Sequence, residues 1–260
     1  MRRLLFEISY AGTRYHGYQV QQNGITVAEA VQDAVERVFP RREAITGCSR
    51  TDAGVHARQF TFHMDTEAAI PEKAAVIALN NLLPDDISVK SCREVAPDFH
   101  ARYNVCWKRY CYEIWNHPVK NPFLQGLAMH HKAPLDAALM DQCAREFVGT
   151  HDFALFRTTG GKDVGTIRTI YEAKVERQGE KVIFSVCGDG FLYHMVRLMT
   201  GTLLLTALGR LAPGDITAML ETGKGERGIP APAAGLYLDR VSYQPWPETS
   251  LTGGDNHGPG

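Results

Sequence analysis

No apolar run in the chain approaches the roughly 18–20 residues needed to cross a bilayer. The longest stretches are broken by Arg, Gly or Glu, so no membrane span is expected. The N-terminus, Met1-Arg2-Arg3-Leu4-Leu5-Phe6-Glu7, lacks the apolar segment of a secretion signal, and no Asn-x-Ser/Thr acceptor occurs. Neither sign of charge is in excess: 28 Lys and Arg stand against 29 Asp and Glu, a formal net charge of −1. A disordered basic tail that wraps nucleic acid is thereby excluded. A nucleic-acid partner is not, because a basic face can be offset by an acidic back. Cysteines number six: Cys48, Cys92, Cys106, Cys111, Cys143 and Cys187. Without a secretion signal their even count is weak evidence for disulfides, and a reducing, cytoplasmic setting is expected.

Metal and nucleotide signatures are missing as well. The ten histidines are scattered, and the adjacent pair His130-His131 would point to opposite sides of a strand. Cys106 and Cys111 have no second cysteine pair at finger spacing, so no metal is expected. Gly161-Lys162 is followed by Asp163 rather than Ser or Thr, and no Gly-x-Gly-x-x-Gly follows a strand. A bound nucleotide cofactor is therefore not expected. Ser49 lacks the flanking glycines of a nucleophile elbow.

What is there is a 260-residue chain, 44% hydrophobic and 22% charged, which is ordinary globular composition. It can bury a core unaided and suits one large or two modest domains. Residues 3–10 read as a strand. Thr26 and Glu29 form a capping box for a helix over 27–39 that Pro40 ends. A short strand at 45–48, a strand over 56–64, a helix from Pro71 to Asn80 or Asn81, and a strand over 87–95 follow. The order is β-α-β-β-α-β, the unit that RNA-recognition sheets also use. A second set comes after it. A strand covers 110–115 and a helix 135–147, then a hairpin over 167–176 and 181–187 turns at Gln178-Gly179-Glu180. A mostly apolar helix over 191–208, broken around Gly201, a shorter helix over 213–220 and a strand over 236–243 complete it. Two α+β halves joined near 97–106 result. The last residues, 247–260, hold four Gly and two Pro and read as a disordered tail.

Three features stand out. The first is Gly47-Cys48-Ser49-Arg50-Thr51-Asp52-Ala53-Gly54-Val55-His56-Ala57, which packs Arg, Thr, Asp and His between two strands. It reads either as a turn in which Asp52 bonds its own backbone, or as a carboxylate held reactive beside cations. The second lies in residues 100–132, where five Lys/Arg and four His meet a single acid, Glu113, among Tyr103, Trp107, Tyr110, Tyr112 and Trp115. Such interleaving suits phosphates and stacked bases, or an amphipathic strand with snorkelling cations. Tyr110 and Tyr112 share one strand face. The third is Gly188-Asp189-Gly190-Phe191-Leu192-Tyr193-His194-Met195-Val196-Arg197. Phe191, Met195 and Leu198 would form the core face of a helix, and Arg197 needs a carboxylate: Asp52, Asp189 or Asp239.

In this order the features resemble the TruA family of tRNA pseudouridine synthases, over residues 3–243. Ser49-Arg50-Thr51-Asp52-Ala53-Gly54-Val55-His56-Ala57 is similar to its catalytic-loop signature. Asn81-Leu82-Leu83-Pro84-Asp85-Asp86-Ile87, Phe99-His100-Ala101-Arg102, Arg109-Tyr110-Cys111-Tyr112, Phe191 through Arg197, and Gly235-Leu236-Tyr237-Leu238 follow in family order. The chain departs from the pattern at Tyr18, where Trp is common, at Gln22, at Ala28-Glu29 and at Leu198. The resemblance implies an α+β fold of two ferredoxin/RRM-like halves, whose strands join in a central antiparallel sheet with helices on the outer faces. Residues 1–102 would carry the Asp loop and 103–246 would complete the cleft. It implies isomerisation of uridine to pseudouridine at positions 38, 39 and 40 of the tRNA anticodon stem-loop, by a homodimer without metal or cofactor. It implies Asp52 as the catalytic aspartate, Tyr110 stacking on the target uracil, and Arg197 paired with the aspartate. Arg50 would contact RNA and help displace the base, and Leu236 would line the base pocket.

The reaction breaks the C1′–N1 bond, turns the uracil and forms C1′–C5, so no water should attack and one carboxylate suffices, unlike the pair of a glycoside hydrolase. Two other readings compete. A non-catalytic RNA-binding module would leave the Arg50-Thr51-Asp52 loop without a purpose. A small-molecule hydrolase using Asp52 and His56 lacks a second carboxylate or nucleophile nearby.

Overall fold

The computed structural model describes residues 1–41, 43–158 and 165–247. Strand β1 (Arg2–Tyr10) buries Leu4, Phe6, Ile8 and Tyr10 on one face and Leu5 on the other. Helix α1 (Val27–Val38) starts where expected: the Thr26 side chain accepts the Glu29 amide, and Val27, Val31 and Val35 form its buried stripe. There follow β2 (Thr46–Gly47), β3 (His56–Thr66), α2 (Glu72–Asn80) and β4 (Ile87–Val95). β1 lies antiparallel between β3 and β4, and β2 pairs with the far end of β3.

The second set repeats the plan. It comprises β5 (Trp107–Asn116), a short β6 (Met129–His131), α3 (Ala137–Ala144), β7 (Gly149–Asp152), β8 (Ile167–Gln178), β9 (Lys181–Gly188), α4 (Met195–Ala207), α5 (Asp215–Thr222) and β10 (Leu236–Ser242). The strand order β4-β1-β3-β2 of the first set recurs as β10-β5-β9-β8 in the second. β10 then pairs in parallel with the near end of β3, beside β2's stretch, and fuses everything into one sheet. Along the sheet's main path the other pairings are antiparallel.

Register shows which face carries the helices. Tyr10, Ala57, Leu238, Tyr110, Val186 and Ala173 are successive partners across six strands, so they share a face, and all are buried. Phe191, just before α4, meets Tyr110 edge-on with centroids 5.0 Å apart, and Phe39 at the end of α1 meets Phe6 from the same side. The helices of both halves thus lie against one face, and the gap between them is the cleft. The other face carries cross-strand charge pairs. Glu113, nearly buried, is held by Arg58 and by Lys181 at 2.7 Å.

Two expectations need correction. The helix expected from Phe191 begins only at Met195, because His194 is left-handed (φ 61) and the residues before it form a turn. Phe191 therefore reaches the core from a turn rather than from a helical face. Gly201 does not break α4, which runs through it to Ala207. The expected tail, 247–260, lies outside the described residues from 248 onward.

Candidate active site

The Asp52 loop is tied down at its backbone and side chains rather than at its carboxylate. Tyr10 Oη and Thr51 Oγ1 share a buried hydrogen bond of 2.8 Å, and the Tyr18 amide donates to the Thr51 carbonyl. The Val55 amide closes a turn onto the Asp52 carbonyl, and the Gly54 amide donates to Tyr15. Gly17 makes this approach possible: its φ is +86° and a Cβ there would lie 2.4 Å from the Thr51 oxygen. The turn reading of the loop is thus correct for its backbone, while the carboxylate faces a different set of partners.

Those partners come from α4 and the residue just before it. Arg197 Nη1 lies 3.4 Å and His194 Nε2 3.3 Å from Asp52 Oδ2. Asp52 is therefore the carboxylate Arg197 needs. Asp189 instead accepts the Thr169 amide, and Asp239 pairs with Arg58. Arg197 is fixed from behind. Its Nε donates to the Ala231 carbonyl at 2.7 Å, and the Ala231 amide donates back to the Arg197 carbonyl at 3.0 Å. The guanidinium is only 16% exposed and the carboxylate 25%, so their attraction is less screened than at a free surface.

Tyr110 and Leu236 line the same cleft of about 940 Å³, both buried on the helix-bearing face. The Tyr110 hydroxyl is 3.4 Å from Ser49 Oγ, to which Lys108 Nζ donates at 3.3 Å. Burial raises the phenol well above its ordinary value and lowers the Lys108 ammonium. Arg50, exposed, lines the cleft with Arg102 and Lys108, and among the described residues Asp52 is the one carboxylate in the lining. All five expected site residues, Asp52, Tyr110, Arg197, Arg50 and Leu236, thus meet at one cleft. Sequence reasoning did not single out His194, Lys108 or Ser49. His194 sits inside a quoted motif, but its conformation has no sequence signal.

His56 is occupied elsewhere. The Gly12 amide donates to its Nδ1 at 3.0 Å, leaving Nε2–H to donate to the Ala234 carbonyl at 3.1 Å, and its ring stacks on Tyr237. Burial lowers its pKa. The hydrolase reading thereby loses its base. Among the described residues no three His, Cys, Asp or Glu side chains converge in a way that would hold a metal, and no helix is long and apolar enough to cross a membrane.

Among the described residues the cleft thus sets one carboxylate among cations and aromatics on the helix-bearing face of the sheet. The sequence matches the family model described as tRNA pseudouridine synthase over residues 8–104 and 143–244. Proteins named tRNA pseudouridine synthase A are similar along almost the whole chain. That of Ruminiclostridium cellulolyticum is 40% identical over 94% of this chain and 100% of its own, and that of Exiguobacterium sibiricum 44% identical over 94% and 97%. The chain belongs to the tRNA pseudouridine synthase A family. A crystal structure of a Cbf5-Nop10-Gar1 complex aligns over 78% of this chain and 44% of that chain at 13% identity, with a TM-score of 0.36, too low to carry the comparison further.

Proposed function

We propose that the protein isomerises uridine to pseudouridine at positions 38, 39 and 40 of the tRNA anticodon stem-loop. It acts in the cytoplasm as a homodimer without metal or cofactor, and its halves divide near residue 102. The observation that carries the reading is the carboxylate of Asp52, the one in the cleft among the described residues, faced by His194 just before α4 and Arg197 on it, in a cavity walled by Tyr110. The family resemblance supports the three positions and the dimer. The free thiols of all six cysteines accord with a reducing compartment.

The target base leaves its stack at a cost of a few kcal/mol, and Arg50 helps to displace it. Stacking on Tyr110 offsets part of that cost, at ~1–3 kcal/mol per base. Leu236 packs the pocket from β10. Asp52 then either attacks C1′ or removes the 2′ proton to leave a glycal, and both routes use an unprotonated carboxylate oriented by Arg197. The freed uracil turns and C5 bonds to C1′ as the Asp52–C1′ bond breaks, or as Asp52 returns the proton to C2′ of the glycal; the C5 proton then leaves and N1 gains a proton. Burial keeps the Tyr110 phenol neutral, so it accepts the C5 proton only as its own passes to Ser49 Oγ and the proton of Ser49 leaves to solvent in the cleft.

The primary test is tritium release from C5-labelled uridine in an unmodified tRNA, with mapping of the modified positions. Release confined to positions outside the anticodon stem-loop would redirect the proposal to another RNA site. Tyr110→Phe keeps the ring and loses the hydroxyl. Its kcat should fall ~10²-fold or more while KM changes little, and unchanged turnover removes the proton-transfer role. Phosphate contacts by three cleft cations predict that affinity falls roughly 20–40-fold between 50 and 200 mM salt. A flat response in a filter-binding titration contradicts a phosphate-lined cleft.

A further inference from the structure

His194 is the only non-glycine residue with a positive φ among the described residues. A side chain with a Cβ strains in that backbone, and such strain gathers where function needs it. The residue stands at the N-terminus of α4, yet its side chain caps nothing there. Its ring bridges two other segments instead. Nδ1 lies 3.1 Å from Thr158 Oγ1 and Nε2 3.3 Å from Asp52 Oδ2, with Tyr193 stacked on the ring at 3.8 Å. Burial and Arg197 lower the imidazole's pKa, opposed by Asp52. In the neutral ring one tautomer suits both neighbours: Nδ1 accepts from the Thr158 hydroxyl, which leaves Nε2–H on the Asp52 side, 3.3 Å from Oδ2.

His194 and Arg197 also converge on the same carboxylate oxygen, Oδ2, and the hydrogen bond from Arg197 falls on it. We propose that His194 is a positioning residue for the isomerisation. Its Nε2–H, fixed by Thr158, clamps Oδ2 so that Oδ1 is the oxygen presented to the ribose. The left-handed backbone at 194 is what brings the ring to the carboxylate from the first turn of α4. The proposal rests on Asp52 being the reacting group of the function above.

Two substitutions separate the contact from the backbone. Gln places an amide N–H close to where the ring's Nε2 stands. Asn adopts the left-handed backbone more readily than His but stops short of Asp52. Tritium release from C5-labelled tRNA, tRNA binding and thermal melting are measured for wild type, His194→Gln and His194→Asn. The proposal expects kcat within about 10-fold of wild type for His194→Gln. For His194→Asn it expects kcat lowered ~10²-fold, KM within threefold and Tm unchanged or higher, the loss that misplacing a reacting group by about 1 Å brings. Wild-type kcat in His194→Asn, or equal losses in both variants, overturns it. No release by the wild type would instead remove the function on which it rests, before either variant is compared.

Discussion

Asp52→Asn should lower turnover by at least ~10⁴-fold while leaving tRNA affinity intact or slightly tighter. The amide matches the carboxylate in shape but can neither attack C1′ nor accept the 2′ proton, so a loss on the scale of removing a nucleophile is expected. The fold should tolerate the change. The loop is held by the Tyr10–Thr51 hydrogen bond and by main-chain bonds to Tyr15, Tyr18 and Val55, none of which uses the carboxylate. Arg197 donates to Oδ2 and His194 Nε2 stands 3.3 Å from it, so the amide will turn its carbonyl to them and its NH2 toward the substrate. Binding should not suffer, because the cleft loses the Asp52 carboxylate and keeps Arg50, Arg102, Lys108 and Arg197. The check is tritium release beside filter binding and a melting curve on the same preparation. Equal loss of release and binding with a lowered Tm would mean a damaged fold. Retained release would dismiss Asp52 as the reacting group.

Much of this site was legible in the chain, and the limits have physical causes. The N-cap at Thr26, the strand of β1 and the shared face of Tyr110 and Tyr112 are local patterns that the structure repeats, though only the Thr26 half of the expected capping box forms. The repeated strand order followed from two βαββαβ patterns in succession. The pairing of Asp52 with Arg197 spans 145 residues, and its three candidate acids could be separated only once sheet order was known. The parallel junction of β10 with β3, which lines up both halves' helices on one face, had no local signature. The start of α4 was misjudged because Phe191, Met195 and Leu198 fit a helical period that the left-handed residue 194 interrupts. Strained positions of that kind are where local rules are expected to fail.

Gly201→Ala should destabilise the protein by ~2–4 kcal/mol and lower kcat with it. In an exposed helix interior the same change would stabilise by about 1 kcal/mol, because Ala is the better helix former. Here a Cβ would stand 1.9 Å from the Ile229 carbonyl oxygen, and Gly228 lies equally tight on the other side of the contact. The two obstructing groups are backbone, so no side chain can swing aside. The segment is also bonded to the helix: the Gly228 amide donates to Thr202 Oγ1 at 3.0 Å, and the hydroxyl itself donates to the Leu198 carbonyl. Three residues further on, Ala231 holds the Arg197 side chain. Pushing the segment away from α4 therefore removes the rear support of the guanidinium that faces Asp52. Lost stability and lost turnover are thus two readings of one displacement, and they should move together. A Tm lower by roughly 5–10 °C is expected in a domain of this size, with tRNA binding less affected than kcat. A rise in Tm for Gly201→Ala would show that the backbone contact yields easily, and Arg197 would then have to owe its position to Asp52 alone.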